Sequence, residues 1–195
     1  MTGMRKLLQD LRADYQRHGK NLRNLAFWAI AVYRYGRWAK EHKGLSGWAV
    51  NKIYAVLFLF VEITTGITLH REVKVGEGFH LVHSGNIKIY PRVVIGDRCG
   101  IMHDVTLGTL PETVGAPRLG NDVFIGSGAK VLGPLTIGDG GRVAANSLVL
   151  SDVPPGATAI GVPARIILFT GRKTGAPAPD PSPPPPPTES PPPSS

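Results

Sequence analysis

Histidines are the residues of this sequence best suited to acid–base chemistry. Four of the six, at positions 70, 80, 83 and 103, lie in the middle of the chain. Imidazole titrates near neutral pH and can take a proton from a hydroxyl group while that hydroxyl attacks an acyl carbon. His83 and His103 each stand two residues after an aliphatic residue, Leu81 and Ile101. This shared spacing predicts that the two histidines hold equivalent places in a repeat.

The element that must position these histidines is a repeat of six residues. A helix repeats every 3.6 residues and a strand every two, so a period of six fits a short strand followed by a sharp bend. Such a period is typical of a β-solenoid, in which stacked turns bury an apolar core that no single turn can bury. A sandwich of short strands is the alternative, but sandwiches do not hold one period over so many segments. The repeat runs through Leu119, Ile125, Val131, Ile137, Val143 and Val149, and upstream, with one slip of two residues, through Leu69, Val75, Leu81, Ile89, Ile95, Ile101 and Leu107.

Counting along the repeat places the two histidines. Three steps plus the slip separate Leu81 from Ile101. If three steps make one triangular turn, His103 lies directly above His83, at the strand spacing of about 4.8 Å. The segment from Gly108 to Pro117 breaks the period and predicts a loop, which we expect to cover an acceptor bound near both imidazoles.

No metal site is expected from the remaining chemistry-bearing residues. His80 and His83 are three residues apart, and on a strand they point to opposite faces, which makes them a poor ligand pair. The single cysteine, Cys99, falls at an inward position of the repeat and is expected to be a small core residue. His18 and His42 lie outside the repeat and are expected to be solvated.

The N-terminal third differs in character from the repeat. Residues 1–66 hold eleven Lys or Arg against four Asp or Glu, so they carry +7 of the formal net charge of +8, and they contain all three tryptophans. Apolar residues at helical spacing predict α-helices here. Two interpretations stay open: a helical cap packed on the solenoid or on another subunit, or a basic apolar face lying as a peripheral contact on an anionic membrane. The apolar run from Ile53 to Val61 has nine residues, far short of the roughly 20 needed to span a bilayer, so no crossing is expected. No recognition module for nucleic acid is found, so no nucleic-acid partner is expected.

The two ends of the chain complete the predicted organisation. Residues 174–195 hold eleven of the eighteen prolines, a composition typical of a disordered tail. The first twenty residues are charged and lack the apolar core of a signal peptide, which favours a cytoplasmic protein, with the inner membrane face as the place of any contact. We therefore predict an α-helical region at 1–66, an all-β solenoid at 67–169 and a disordered Pro-rich tail at 170–195.

Several strings within the repeat resemble one known family. They are Leu81-Val82-His83, Val105 to Gly108, Val123 to Lys130, Val153-Pro154-Pro155 and Gly161 to Arg165. Residues 67–167 thereby resemble the catalytic domain of serine O-acetyltransferases, which belong to the left-handed β-helix acyltransferases built from hexapeptide repeats. Residues 32–38 also resemble the last helices of that family's N-terminal domain.

The resemblance implies a fold, an assembly and a chemistry. It implies a homotrimer of three-sided left-handed parallel β-helices, with acetyl-CoA as co-substrate in a groove between neighbouring coils. His83 matches the family's general base, and His103 stands where the family usually has no histidine, so that it is expected to contribute to catalysis or to contact the acceptor. The positions that match the lining of the acetyl-CoA groove are Gly108, Ser127, Ala145 and Arg165.

Departures from the family pattern leave the acceptor open. Val82, Thr68 and Ala116 stand where the family has an Asp, a second Asp and a His, while Asp14 is a poor match for an acid of the N-terminal helices. Removing one partner of a buried charge pair typically costs about 2–5 kcal/mol. The chain also ends Pro193-Ser194-Ser195, without the terminal Ile through which the family docks into the next enzyme of cysteine synthesis, so that complex is not expected. Three hypotheses follow: an enzyme acetylating serine or a similar small hydroxyl compound, an enzyme acetylating a sugar hydroxyl of exopolysaccharide or lipid-linked saccharide at the membrane surface, and a non-catalytic trimeric scaffold.

Overall fold

The computed structural model describes residues 2–111 and 113–168. Three helices come first: α1 (Thr2–Arg17), α2 (Leu25–Lys40) and α3 (Gly44–Thr65). Asn24 caps α2, because its side-chain oxygen accepts a hydrogen bond from the amide of Ala26 at 3.0 Å. Gly66 ends α3 in the left-handed conformation, with φ of 69°, and the first strand begins at the next residue. The predicted tail at 170–195 lies outside the described residues.

Short strands follow in a strict order. Their bounds are β1 Ile67–Leu69, β2 Lys74–Val75, β3 His80–Leu81, β4 Ile87–Ile89, β5 Val94–Ile95, β6 Gly100–Ile101, β7 Thr106–Gly108, β8 Arg118–Leu119, β9 Phe124–Ile125, β10 Lys130–Leu132, β11 Thr136–Ile137, β12 Arg142–Val143, β13 Leu148–Val149, β14 Thr158–Ile160 and β15 Arg165–Ile167. They form three sheets, in the spatial orders β1-β4-β7-β10-β13, β2-β5-β8-β11 and β3-β6-β9-β12-β14-β15. We call these sheets A, B and C.

From β1 to β13, successive strands pass from sheet A to B to C, so three strands make one turn of a parallel β-helix. Leu81 pairs with Ile101, as the predicted triangular turn requires. The predicted solenoid with N-terminal helices is therefore confirmed. In sheet C, paired residues are 20 positions apart from Leu81 to Ile101, where the slip lies, 24 from Ile101 to Ile125 and 18 from Ile125 to Val143. The longest interval contains the predicted loop from Gly108 to Pro117, which joins β7 to β8. The last strand, β15, turns back and pairs antiparallel with β14.

The inward positions of the repeat form one continuous core. Nearly all the predicted aliphatic residues are buried, and only Val75 among them is half-buried. Cys99 is buried as predicted, and burial raises the pKa of its thiol to about 11. A thiol with that pKa stays protonated near neutral pH and behaves as a small core side chain.

Side-chain hydrogen bonds reinforce the corner between sheets B and C. Carboxylate or amide oxygens of Asp97, Asn121 and Asp139 each accept a backbone N–H from the corner one turn below, at 2.7–2.9 Å. The turns are so close here that a Cβ added to Gly96 would lie 2.5 Å from the carbonyl oxygen of Gly120. The backbone therefore requires glycine at this position.

A buried arginine fastens the helices to the first turn of the coil. The Arg34 Nε of α2 donates to the Asp14 carboxylate at 2.8 Å, and Arg34 Nη1 donates to the Val75 carbonyl at 3.0 Å. Asp14 in turn accepts the amide N–H of Phe79 at 3.0 Å. Asp14 is fully buried, so its carboxylate serves this junction rather than a surface site.

His18 departs from the prediction of a solvated side chain. It is 4% exposed and accepts the amide N–H of Leu81 at Nε2, at 3.3 Å. Its ring meets the ring of His80 edge to face, with centroids 4.7 Å apart. The prediction was wrong because the helical pattern of α1 does not reveal that the coil closes over this end of the helix. His42 is likewise not free in solvent: it is half-buried, and its Nδ1 lies 3.0 Å from the carbonyl oxygen of Trp38.

The apolar element in the N-terminal third is longer than the nine-residue run indicated. α3 has 22 residues and is long and apolar enough, by length and composition, to cross a membrane. The short run therefore does not exclude a crossing, since polar residues within α3 interrupt the run but not the helix. In the part of the chain described, α3 is the one helix that meets this test.

Candidate active site

The corner between sheets C and A brings most of the predicted site residues into one column. Sheet C aligns Leu81, Ile101, Ile125 and Val143, so the residues two positions further along also lie one above another. Backbone hydrogen bonds hold this stack: the Asn146 amide donates to the Ser127 carbonyl at 2.8 Å. The column consists, from the helical end upward, of His83, His103, Ser127 and Ala145.

His83 and His103 lie on adjacent turns and are both exposed. Their ring centroids are 5.8 Å apart, with an angle of 54° between the rings. The predicted juxtaposition of the two imidazoles is thus present, although the rings are tilted rather than stacked face to face. Two exposed imidazoles at this separation can both reach one small ligand, so one can exchange a proton with it while the other donates or accepts a hydrogen bond.

A polar cluster supports this corner from the side of sheet A. Asp104, in the left-handed conformation at φ 56°, accepts a hydrogen bond from the Asn86 amide at 2.7 Å. The Lys130 Nζ donates to the Asp104 carbonyl at 2.6 Å and to its carboxylate at 3.2 Å. The hydrogen bonds from Lys130 and Asn86 lower the pKa of Asp104. The cluster fixes the backbone beside His103, and sequence reasoning missed Lys130 and Asn86 because neither stands at an inward position.

A hydrogen-bonded chain runs through Thr68, one of the three positions at which the resemblance implies a different residue. The Thr68 hydroxyl donates to the Glu62 carboxylate of α3 at 2.6 Å and accepts from the Lys88 Nζ at 3.0 Å. Val82 and Ala116, at the other two places, are half-buried, and Ala116 packs against the core. These three positions therefore offer no carboxylate or imidazole of their own. The carboxylate of Glu62 is hydrogen-bonded to Thr68 and is the acid at that position.

Gly108 and Arg165 lie apart from the histidine column. Gly108 ends β7, where a Cβ would lie 3.2 Å from the Tyr90 ring, and the loop to Pro117 starts there. Arg165 is exposed in β15, the sixth strand of sheet C, whereas His83 follows the first. Five strand spacings separate them, roughly 24 Å. Within one chain, Arg165 and His83 therefore cannot contact the same small group.

The histidines at positions 80 and 83 have different neighbours. His80 packs on His18, whereas His83 faces His103. Among residues 2–111 and 113–168, no group of three or more His, Cys, Asp or Glu side chains is arranged to hold a metal ion.

Comparison with known proteins agrees with this architecture. The family model "Bacterial transferase hexapeptide (six repeats)" matches residues 116–151. A serine acetyltransferase of Synechococcus elongatus is 33% identical over 147 residues, which are 74% of this chain and 58% of that protein. The serine acetyltransferase of Brucella abortus strain S19, solved in complex with coenzyme A, superposes with a TM-score of 0.71 at 30% identity, over 86% of this chain and 68% of that one. This chain belongs to the family of serine acetyltransferase-like hexapeptide-repeat proteins.

Solved relatives of the serine acetyltransferase family share the helices as well as the coil. The Neisseria gonorrhoeae serine acetyltransferase superposes with a TM-score of 0.72 over 88% of this chain, at 28% identity. Such coverage is larger than the solenoid alone provides. The chain nevertheless spans only 58% of the length of its Synechococcus elongatus relative.

Proposed function

We propose that this chain transfers the acetyl group of acetyl-CoA to a hydroxyl acceptor, with the imidazole of His83 as general base. The observation that carries the proposal is the exposed His83 at a solenoid corner, one turn below His103. The string Leu81-Val82-His83 resembles the one that carries the base in the serine acetyltransferase family, to which the chain is related. Because acetyl-CoA is a cytoplasmic co-substrate, the proposal also implies a cytoplasmic protein.

The reaction requires one proton acceptor and one proton donor, and a single imidazole supplies both. His83 removes the hydroxyl proton as the acceptor oxygen attacks the thioester carbonyl carbon. The tetrahedral intermediate then collapses, the C–S bond breaks, and the departing CoA sulfur takes the proton back from the imidazolium. The products are the O-acetyl ester and free CoA. General acid–base catalysis of this kind contributes on the order of 100- to 10,000-fold to the rate.

The donor is expected to run along the histidine column. Ser127 and Ala145 carry small side chains and lie two and three turns above His83, roughly 10 and 14 Å away. An elongated molecule can lie along such an edge with its thioester at His83 and meet backbone amides above it. Arg165 lies two strand spacings beyond Ala145, roughly 10 Å, so only the far end of such a molecule could meet it, and Gly108 lies in sheet A, outside the column.

In a homotrimer, a neighbouring coil could bring its own Gly108 or Arg165 close to the histidine column and supply the second wall of the groove. The test is sedimentation equilibrium, in which a trimer has three times the 20.9 kDa mass of one chain. A monomer that is fully active would exclude a groove built from two coils.

Serine is the first acceptor to test, because the relatives are serine acetyltransferases. A sugar hydroxyl is the second candidate, favoured by the uncharged residues Val82 and Ala116, whereas Thr68 has the Glu62 carboxylate beside it. A free amino acid needs partners for its ammonium and carboxylate groups, and losing one such partner costs about 2–5 kcal/mol. A sugar needs none, because its hydroxyl groups are uncharged.

The decisive experiment is an acceptor screen that measures release of free CoA thiol. The full chain is incubated with acetyl-CoA and either L-serine or mono- and oligosaccharides, alongside the variants His83→Ala and His42→Ala. The proposal expects turnover with at least one acceptor, a loss of about 100-fold or more in His83→Ala, and no loss in the matched control His42→Ala. A His83→Ala variant as active as the parent would refute His83 as base. Absence of thiol release with every acceptor would favour the non-catalytic scaffold.

A further inference from the structure

The outward side of α3 is a broad apolar surface. Large hydrophobic side chains recur there at helical spacing, and Leu45, at the start of the helix, is 85% exposed. The described part of the chain leaves this side uncovered. We call it the α3 outer face and define it by Leu45, Trp48, Ala49, Lys52, Ile53, Val56, Leu59, Phe60 and Ile63.

Two polar side chains of α3, Asn51 and Glu62, are turned the other way, toward the protein. The Asn51 side chain donates to the Ala39 carbonyl of α2 at 3.1 Å and is also bonded by the Arg71 guanidinium. The Glu62 carboxylate accepts the hydroxyl of Thr68 in β1. A soluble helix normally shows the opposite arrangement, with its polar side outward. On the α3 outer face, Lys52 is the single charged residue.

Charge indicates which partner suits this face. Residues 1–66 carry a formal charge of +7, and the exposed Lys43 and Lys52 stand before and on the face. A two-fold contact that pairs this face with its own copy would set Lys52 against itself, whereas contact with a different face of another copy, as in a trimer, is distinguished by the sedimentation measurement below. Anionic lipid headgroups would instead neutralise them, while the acyl region receives the apolar side chains. Trp48, with an amphipathic ring, is a residue type enriched at such interfaces.

We propose that the α3 outer face lies in the interface of an anionic lipid bilayer, with the helix axis in the membrane plane. An in-plane helix keeps its inner side on α2 and the coil. A spanning α3 would carry the Glu62 carboxylate and the Arg71-bonded Asn51 into hydrocarbon, where such groups are expensive. The inference goes beyond the proposed acetyl transfer and stands or falls independently of it.

The test is co-sedimentation of the full chain with vesicles. Phosphatidylcholine vesicles are compared with vesicles that also contain phosphatidylglycerol. We expect the double variant Phe60→Ser/Ile63→Ser to lower the partition coefficient on the order of 100-fold. The variant Lys43→Gln/Lys52→Gln should lower it about 30-fold on anionic vesicles and hardly at all on neutral ones. The matched control is Val114→Ser, which removes an apolar side chain that is 93% exposed in the loop and lies outside the face.

Three outcomes would overturn the proposal. Equal binding by the double variant and the Val114→Ser control would show that the face does not enter lipid. A sedimentation-velocity change in Phe60→Ser/Ile63→Ser, without any change in vesicle binding, would assign the face to a second copy of the chain. Resistance of the bound protein to alkaline carbonate extraction would show a spanning helix instead of one lying in the plane. Circular dichroism of each variant verifies that it is folded, and acetyl transfer is not used as a readout.

Discussion

The contact of the buried His18 with the half-buried His80 makes the attachment of α1 to the coil sensitive to acid. Burial lowers the pKa of His80 from its usual 6.5 to about 4, with the neighbouring His18 as the next cause. Burial also lowers the pKa of His18. Both rings are neutral in the folded protein near pH 7 and both take up protons on unfolding at mildly acidic pH. Stability contributed by this pair is therefore complete above about pH 6.5 and is lost as the pH falls toward 4.

The size of the effect follows from the shift of His80. One pKa unit corresponds to about 1.4 kcal/mol, so the full shift would amount to about 3 kcal/mol once the pH is below both pKa values. Because His80 is only partly buried, solvent reduces this to about 1–2 kcal/mol. The loss should concentrate at the junction, where His18 accepts the Leu81 amide. A His80→Phe variant keeps a ring against His18 and removes the titration.

The measurement is hydrogen–deuterium exchange of the α1 amides at pH 7 and pH 5, corrected for the intrinsic exchange rate. In the parent chain, protection of α1 should fall about 4- to 12-fold at pH 5, which is less than the full effect because pH 5 still lies above the folded-state pKa of His80, while that of the coil strands stays constant. His80→Phe should lose most of this pH dependence, whereas the exposed control His103→Phe should retain it. Parallel pH profiles for the parent and His80→Phe would refute the assignment of the effect to this pair.

Three further predictions concern the junction and the corners. Asp14→Ala leaves the buried Arg34 short of its nearest carboxylate, so we expect a loss of about 3 kcal/mol, seen as a lower urea midpoint; an unchanged midpoint would contradict this role. Gly96→Ala forces a methyl group against the Gly120 carbonyl and should lower the melting temperature by roughly 5 °C. The comparison variant is Gly140→Ala, whose Cβ would meet no atom within 4 Å, so that any change in its melting temperature reports the strain of positive φ alone. Lys130→Met should lower kcat while leaving the melting temperature within about 2 °C, and an unaltered kcat would exclude a supporting role beside the histidines.

The solenoid could be predicted because its information is local and repeated. Each turn contributes the same inward aliphatic positions, so a slip of two residues between Leu81 and Ile89 is visible against the period. The same count fixes which residues share a corner, and for this reason the approach of His83 and His103 followed from the sequence. The burial of Cys99 followed in the same way, since it occupies an inward position.

Contacts between the helices and the coil could not be predicted in this way. His18 lies 62 residues before His80, and no period connects a helix to the turn that covers it. The Arg34–Asp14 ion pair could not be predicted for the same reason. The Asp14 carboxylate is satisfied in part by the amide of Phe79, which comes near only when the helices pack on the coil. Helical spacing shows that a segment has an apolar side but not what will cover that side.

Which acceptor the protein uses also depends on contacts between the helices and the coil. Along the chain, Thr68 is an uncharged residue at a position where the family resemblance implies an acid. In the fold its hydroxyl is bonded to Glu62, so a carboxylate does stand beside that place, supplied by α3 instead of by the strand. The same helix offers its opposite side to solvent as an apolar face. A substrate held near Thr68 would therefore lie close to α3, the helix that we propose contacts lipid. An acceptor attached to a membrane needs its binding site close to the lipid surface, whereas free serine does not.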